Sequence, residues 1–246
     1  MLGAAEKWTK ATLELFYPRN CQACTRPLAE TEPGVICSQC LETVRRIERP
    51  CCARCSLPFY GAINDEIECG YCKELKFHFS RAVAACLARG VVRLAIHEFK
   101  YNGKWYFAPH LAEWIIAAAM SRMDCAAVDV VVPVPLHPRK HRERGFNQAE
   151  FLAKQVGKAT GKPVWTRCIR RLRDTQTQTH LDREQRMANL RDAFEVPEPT
   201  PVKGRVFVLV DDVFTTGATL DACAKVLRKA GAADVWVLTV ARAAYL

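Results

Sequence analysis

Residues 206–219 read Val-Phe-Val-Leu-Val-Asp-Asp-Val-Phe-Thr-Thr-Gly-Ala-Thr, an apolar run followed by two acids and a turn of small, hydroxylated residues. An apolar run of this length suits a strand that is buried on both faces of a parallel sheet. Asp211 and Asp212 would then lie at the carboxyl end of that strand, where open α/β sheets bind their ligands. The stretch therefore predicts an α/β protein with a ligand site at this edge of the sheet.

The turn that follows the two acids favours a bound phosphate. Thr215, Thr216 and Thr219 supply hydroxyls, and Gly217 and Ala218 leave backbone N–H groups accessible where a helix begins. A backbone that wraps around a phosphate also needs dihedral angles that glycine adopts most cheaply. Carboxylates beside a phosphate cradle fit a phosphorylated sugar, with the acids binding the ribose hydroxyls. The alternative is a buried strand that ends in an ordinary capped helix, which leaves two adjacent carboxylates in need of solvent or a ligand.

Length and composition are typical of one α/β domain with a small accessory domain, since the chain has 246 residues and is 50% hydrophobic. The net charge of +10 favours phosphorylated ligands and also suits nucleic acid, although solubility explains such an excess equally well. Residues 2–17 contain four charged residues and predict an amphipathic helix instead of a signal peptide. The longest apolar patch, residues 114–120, is too short to span a bilayer. We expect a cytoplasmic protein without a transmembrane segment.

The cysteines indicate metal sites. Nine of the thirteen lie between positions 21 and 72, and eight of these form four C-x-x-C pairs. In a cytosolic protein such clustering points to metal ligands, and two pairs can enclose one Zn²⁺ in a closed, structural tetrahedron. The spacing predicts two structural zinc ions. Sequential pairing is the simplest arrangement, while interleaved pairing, the loss of one metal and an exchange of Cys51 for Cys52 stay open. The predicted ligands are Cys21, Cys24, Cys37, Cys40, Cys52, Cys55, Cys69 and Cys72.

Beyond the cysteines, apolar patterning predicts strands that alternate with helices, which implies a parallel sheet with right-handed crossovers. The predicted strands are residues 79–87, 129–134, 164–171, 194–196, 206–210 and 235–240. The predicted helices are residues 91–99, 107–120, 147–157 and 220–230. Residues 137–144 are predicted to form a basic loop, after which Asn147 and Glu150 have the spacing of a capping box. The polar residues 174–192 are predicted to form a mobile loop over the mouth of the site.

These motifs resemble those of known families. Residues 206–219 are similar to the phosphoribosyl-diphosphate (PRPP) motif of type I phosphoribosyltransferases, which has two acids followed by Thr-Thr-Gly and a further Thr. The cysteine pairs, Val-Pro-Val-Pro at 132–135, Arg-Gly-Phe-Asn-Gln at 144–148 and the acid pair occur in the order that characterises the ComF family. The resemblance covers nearly the whole chain. It implies a double zinc ribbon in residues 1–78 and, in residues 79–246, a type I phosphoribosyltransferase fold with a central parallel sheet.

The resemblance also implies roles for individual residues. Asp211 and Asp212 would be the catalytic pair that holds the ribose hydroxyls, with Mg²⁺ bridging the sugar and the diphosphate, and Asp212 is the preferred general base. Residues 215–219 would bind the 5-phosphate. Arg142 and Arg144 would face the pyrophosphate, a role that their place after a predicted strand end also favours. The flexible loop would carry Arg183, Arg186 and Asn189.

Two functions fit these expectations. The first is a phosphoribosyltransferase that uses PRPP and Mg²⁺, in a family associated with natural competence, DNA uptake and the use of DNA as a nutrient. The second is a non-catalytic factor of the same fold that binds single-stranded DNA. For that role the zinc module, residues 100–104 and the basic loop would form one electropositive face, with Trp105, Tyr106 and Phe107 stacking bases. DNA-processing or competence proteins would be partners in either case. A complete glutamine-dependent amidophosphoribosyltransferase is disfavoured, since the N-terminal residues form the zinc module.

Overall fold

The computed structural model of the chain describes residues 19–32, 34–59, 61, 67–173 and 192–243. The predicted N-terminal helix at residues 2–17 and the predicted loop residues Arg183, Arg186 and Asn189 lie outside this part of the chain. Within it, no helix has the length and apolar character needed to cross a bilayer.

A four-stranded parallel sheet forms the centre of the fold. Its strands are β1 (Arg81–Leu87), β2 (Val130–Pro133), β5 (Val206–Phe214) and β6 (Asp234–Arg242), in the order β1-β6-β5-β2. The central strand β5 is buried on both faces as far as the acid pair, as its apolar run predicts. The remaining strands, β3 (Arg170–Arg171) and β4 (Phe194–Glu195), form a small antiparallel pair. The α/β class with a central parallel sheet is confirmed.

Helices and the two cysteine-containing segments cover both faces of the sheet. The helices are α1 (Ser38–Glu42), α2 (Gly70–Glu74), α3 (Gly90–Asn102), α4 (Ala108–Arg122), α5 (Pro138–Arg144), α6 (Gln148–Thr160) and α7 (Ala218–Lys229). On one face, the core joins α3, α4 and α6 to the sheet and includes Cys21 and Cys37. On the other face, the core joins α7 to the sheet and includes Cys52, Cys55, Cys69 and Cys72. We call residues 21–40 the first ribbon and residues 52–72 the second ribbon, and each therefore packs on its own side of the sheet.

The segment predicted as a basic loop is helical. The α5 helix covers Pro138–Arg144, so the prediction of a loop over residues 137–144 was wrong. Local signals explain the helix: the His137 side chain accepts a hydrogen bond from the Arg139 amide, and Pro138 occupies the first turn. Gly145 ends it in the left-handed conformation, with φ of 79°.

The prediction of a continuous strand over residues 164–171 was also wrong. Val164 makes one parallel bridge to Val131, and only residues 170–171 form a strand, which pairs with β4. Between them, residues 166–169 turn, because the polar pair Thr166-Arg167 interrupts the apolar run.

The capping box predicted at the start of α6 is half formed. The Asn147 side chain accepts from the Ala149 amide at 3.0 Å, and its amide group donates to the Val134 carbonyl at 3.1 Å. Glu150 instead pairs with Lys154 one turn further along, at 2.6 Å. Asn147 therefore ties the start of α6 to the end of β2, the strand beside β5 in the sheet.

Candidate functional site

The acid pair lies at the carboxyl end of the central strand β5. Asp212 is buried, with 4% of its surface exposed, and Asp211 is partly exposed. The Asp212 amide donates to Asp211 Oδ1 at 2.8 Å, which fixes the first carboxylate against the strand backbone. The carboxyl groups of Asp211 and Asp212 also interact with each other, and each affects the pKa of the other.

Lys100, from the last turn of α3, is the partner of the buried acid. Its Nζ lies 2.8 Å from Asp212 Oδ2, and 22% of the lysine side chain is exposed. Residues 100–104 were predicted to belong to a DNA-binding face, while a contact of Lys100 with the ligand or a capping role on the helix stayed open. Nothing in the sequence places a lysine of α3 beside an acid more than a hundred residues away. Gly103 ends α3 in the left-handed conformation, with φ of 61°.

The two acids differ in their protonation because their surroundings differ. Desolvation and the neighbouring Asp212 charge raise the pKa of the Asp211 carboxyl to about 7. Desolvation opposes ionisation of Asp212 as well, but the charges of Lys100 and, more weakly, Arg144 lower its pKa below the usual value. The same attraction raises the pKa of the Lys100 ammonium against desolvation. Near neutral pH the site thus holds one fixed anion and one carboxyl that exchanges its proton.

Of the two arginines predicted to face pyrophosphate, the structure brings one towards the acids. Arg144 is partly buried, donates to Gln148 and lies with its guanidinium 5.3 Å from the centre of the Tyr101 ring. Its charge contributes to the lowered pKa of Asp212. Arg142 is exposed on α5. Arg144 is therefore the better placed of the pair to meet an anion at the acid pair.

Residues 215–219, which we call the phosphate loop after the role predicted for them, follow β5 and lead into α7. Gly217 has φ of 81°, and a Cβ added there would lie 2.8 Å from Phe214 Cζ and 3.1 Å from Phe77 Cε1. Both its dihedral angle and its surroundings therefore exclude a side chain. Thr216 Oγ1 accepts a long hydrogen bond, 3.4 Å, from the Ala218 amide at the first position of α7. The loop thus places small residues and the N-terminus of a twelve-residue helix directly after the acid pair.

The cysteines form two clusters of four, with the sequential pairing that is the simplest interpretation of their spacing. In each cluster the four sulfurs lie within 4.8 Å of one another. The Sγ atoms of Cys24 and Cys37, and those of Cys55 and Cys69, are 3.7 Å apart. A tetrahedral zinc site with Zn–S bonds of about 2.3 Å requires sulfurs about 3.8 Å apart, so the thiols fit the metal. Cys51 lies outside both clusters, 3.1 Å from an Arg122 nitrogen.

Backbone amides donate hydrogen bonds to a sulfur atom in each cysteine cluster. The Cys37 amide donates to Cys21 Sγ and the Cys69 amide donates to Cys52 Sγ, each at 3.3 Å. Although desolvation opposes ionisation, hydrogen bonds from Arg26 and from the Cys40 amide lower the pKa of the Cys37 thiol to about 6. Such bonds favour the thiolate, which is the form that binds zinc.

Comparison with known proteins agrees with this architecture. Residues 12–75 match the double zinc ribbon domain family. The chain is 33% identical to the DNA utilization protein YhgH of Salmonella typhimurium over 231 residues, which are 93% of this chain and 99% of that protein. The YhgH protein of Escherichia coli K12 is 32% identical with the same coverage. Competence protein F of Haemophilus influenzae is 28% identical, again over 93% of this chain and 99% of that protein. The chain belongs to the ComF family.

Solved structures resemble the ComF chain over a shorter stretch. One, the allosteric regulatory enzyme of purine biosynthesis, has a TM-score of 0.35 and 25% identity. Another, the glutamine PRPP amidotransferase from B. subtilis, has the same TM-score and 23% identity. Each match covers 52% of the ComF chain, which spans about a quarter of those solved chains, 24% in both cases.

Proposed function

We propose that this ComF-family chain binds PRPP together with Mg²⁺ at the carboxyl end of β5 and transfers its phosphoribosyl group, in the context of DNA uptake or DNA utilisation. The observation that carries the proposal is the convergence of the acid pair, the cations Lys100 and Arg144, and the phosphate loop at one edge of the sheet. Names of the relatives, DNA utilization protein and competence protein, support the biological context.

The acid pair fits a polyhydroxy ligand and a hard cation. Asp212 Oδ2 is buried without a well-aligned hydrogen bond, although Lys100 is close, so it retains capacity to accept from a ribose hydroxyl. Carboxylate oxygens are also the ligands that Mg²⁺ prefers. When bound with PRPP, Mg²⁺ would neutralise charge on the diphosphate. The residues of the chain would orient the ribose between the acids and the phosphate loop, so that an acceptor attacks C1 while pyrophosphate departs.

The pKa values of the two acids favour proton transfer by one of them and sugar binding by the other. Asp212 is the general base that the family resemblance favours, but Asp212 is buried and held as an anion by Lys100. Asp211 has a pKa of about 7, which suits a group that takes a proton from the acceptor at neutral pH. We assign the proton transfer to Asp211 and the binding of a ribose hydroxyl to Asp212. Arg144 would stabilise the departing pyrophosphate by its charge.

Isothermal titration calorimetry with PRPP, with and without Mg²⁺, tests binding, and Asp211→Asn is the variant of choice because it leaves the Lys100–Asp212 pair intact. PRPP binding that needs Mg²⁺, together with pyrophosphate release that Asp211→Asn abolishes while PRPP binding is kept, supports the proposal. Release of pyrophosphate, screened over nucleobases, ammonia and single-stranded DNA as acceptors, tests the transfer. A wild-type protein that neither binds PRPP at millimolar concentration nor releases pyrophosphate with any acceptor refutes it.

Binding of single-stranded DNA is a second candidate, favoured by exposed aromatic rings beside the proposed site. Tyr101 is 59% exposed and Trp105 48% exposed, and Arg144 lies over the Tyr101 ring. The face predicted from the sequence needs correction, because Lys100 is paired with Asp212 and Lys104 with Glu98. Phe107 is fully buried and does not offer a ring to a base.

The DNA-binding candidate predicts a steep dependence on salt, with a slope of about −0.7 per phosphate neutralised on single strands. Tyr101→Ala should weaken binding of an oligonucleotide at all salt concentrations by removing a stacking ring, without changing that slope. Fluorescence anisotropy of a labelled oligothymidylate measures both quantities. Binding without salt dependence, or an unchanged affinity in Tyr101→Ala, argues against this surface.

A further inference from the structure

The second ribbon touches the phosphate loop directly. Tyr71 lies in α2, between the cysteines Cys69 and Cys72, and its hydroxyl donates to the Thr216 carbonyl oxygen at 2.8 Å. A side chain from within one metal-binding pair therefore holds the backbone of the loop that we propose binds the 5-phosphate. The contact joins residues 145 positions apart in the sequence.

Arg242, at the end of β6, makes a second connection between the ribbon and the loop. Its Nε donates to the Cys55 carbonyl at 3.0 Å, and one of its terminal nitrogens donates to the Thr215 carbonyl at 2.8 Å and to the Phe214 carbonyl at 3.2 Å. The residue is only 5% exposed, and its guanidinium lies 4.6 Å from the centre of the Phe214 ring. Buried and rigid, the guanidinium bridges the Cys52–Cys55 pair and the start of the loop.

The segment just after the second ribbon adds a third set of contacts. The Phe77 ring packs edge-on against Phe214 with centroids 6.3 Å apart, and it limits the space at Gly217. The His78 amide donates to Asp221 Oδ1, and its ring nitrogen lies 3.1 Å from the same carboxylate in the first turn of α7. Contacts from Tyr71, Arg242 and residues 77–78 thus reach the chain at several points between Phe214 and Asp221.

The first ribbon has a different position. Cys21 and Cys37 are buried on the opposite face of the sheet, in the core formed with α3 and α4. Its neighbour there is Tyr106, whose hydroxyl donates to Gln22 Oε1 at 3.0 Å. The two ribbons therefore allow a matched comparison. The second ribbon donates one tyrosine hydroxyl hydrogen bond, from Tyr71, and the first ribbon accepts one, from Tyr106.

We propose that the second ribbon positions the phosphate loop, with Tyr71 and Arg242 as positioning residues, and that the first ribbon does not. This inference rests on the proposed function, in which the loop takes the 5-phosphate of PRPP. A metal enclosed by the Cys52–Cys72 cluster would fix both cysteine pairs and, through Tyr71 and Arg242, the carbonyl groups of residues 214–216. Loss of that metal should then loosen the loop, whereas loss of the first metal should leave it ordered.

Tyr71→Phe tests the proposal with the removal of one hydroxyl, and Tyr106→Phe is its matched control. Amide hydrogen exchange of residues 215–221 is measured without ligand, and binding of ribose 5-phosphate and of Mg²⁺–pyrophosphate by calorimetry. Because one hydrogen bond is lost, Tyr71→Phe should speed exchange in the loop and weaken ribose 5-phosphate binding about three- to tenfold. Pyrophosphate binding should be unchanged, since it does not use the loop. Tyr106→Phe should alter none of the three.

Cys72→Ser and Cys40→Ser extend the test to the metal. Each should lower the zinc content from about two to about one per chain, and only Cys72→Ser should abolish the protection of the loop. If Cys72→Ser does not fold, the comparison of Tyr71→Phe with Tyr106→Phe tests the proposal by itself. Equal effects of the two tyrosine variants, or equal loosening by the two cysteine variants, overturn the proposal. A wild-type protein that binds neither PRPP nor ribose 5-phosphate overturns the proposed function instead, and the exchange comparison then decides the positioning role by itself.

Discussion

Replacement of Lys100 by methionine should leave the buried Asp212 carboxylate without its charged partner and so destabilise the fold. Lys100 Nζ and Asp212 Oδ2 are 2.8 Å apart, and the Asp212 side chain is 5% exposed. At an effective dielectric constant of about 20, Coulomb's law gives about 6 kcal/mol for unit charges at this separation. Desolvation of both groups offsets much of that attraction.

The net cost of Lys100→Met to folding stability can be estimated from the cost of removing one partner of a buried ion pair. Removal of one partner of a fully buried pair costs about 3–5 kcal/mol, and because Lys100 keeps 22% of its side chain in solvent, we expect about 2–3 kcal/mol for Lys100→Met. In a chain of this size that corresponds to a fall in melting temperature of roughly 5–10 °C. The double variant Lys100→Met with Asp212→Asn should recover most of the loss, because no unpaired charge is then buried.

The assay is thermal unfolding of the zinc-loaded protein, with Lys104→Met as the matched control. Lys104 pairs with Glu98 at 2.6 Å but is 42% exposed, so its loss should cost at most about 1 kcal/mol. The cost of Lys100→Met should also grow between pH 5 and pH 8, since without the lysine the pKa of Asp212 rises and a higher pH forces its charge into the core. A Lys100→Met variant no less stable than Lys104→Met, or a double variant as unstable as Lys100→Met, would contradict a buried Asp212 charge that depends on Lys100.

The remaining predictions concern metal, ligand and pH. Freshly reduced protein should contain about two zinc ions by elemental analysis, and Cys24→Ser should remove about one of them and loosen the first ribbon first; protein without zinc would contradict both Cys₄ sites. PRPP with Mg²⁺ at about 100 times its dissociation constant should stabilise the fold by about 2.7 kcal/mol, which a melting curve detects; an unshifted curve at millimolar ligand would indicate a degenerate site. Since the folded state raises the pKa of Asp211 to about 7, its contribution to the stability of the unliganded protein should be present near pH 4 and lost as the pH rises through 7. The difference between wild type and Asp211→Asn in chemical denaturation isolates that contribution, and a difference that stays constant from pH 4 to pH 8 would exclude the raised pKa.

Several features of the chain followed from local sequence because they depend on short-range chemistry. The acid pair, the phosphate loop and the need for glycine at position 217 all lie within fourteen consecutive residues, whose apolar run and turn residues specify a strand and a helix start. The C-x-x-C pairs can likewise be recognised as metal ligands from the sequence, because the two thiols of one pair are close in any fold that binds zinc. The helix over Pro138–Arg144 was missed although its signals, a proline in the first turn and a glycine at the end, are local too.

Other features required the tertiary structure. Lys100 belongs to the site because α3 brings its last turn to the end of β5, and nothing in the residues around Lys100 specifies that approach. The connection of the second ribbon to the loop depends on Tyr71 and Arg242, which the sequence places far from residues 215–219. The sequence by itself thus determined the chemistry of each short motif, whereas the packing of the two ribbons on opposite faces of the sheet decided which motifs meet. The physical reason is that a motif's dihedral angles and donor atoms are properties of neighbouring residues, while a distant partner is selected only when the whole core closes around it.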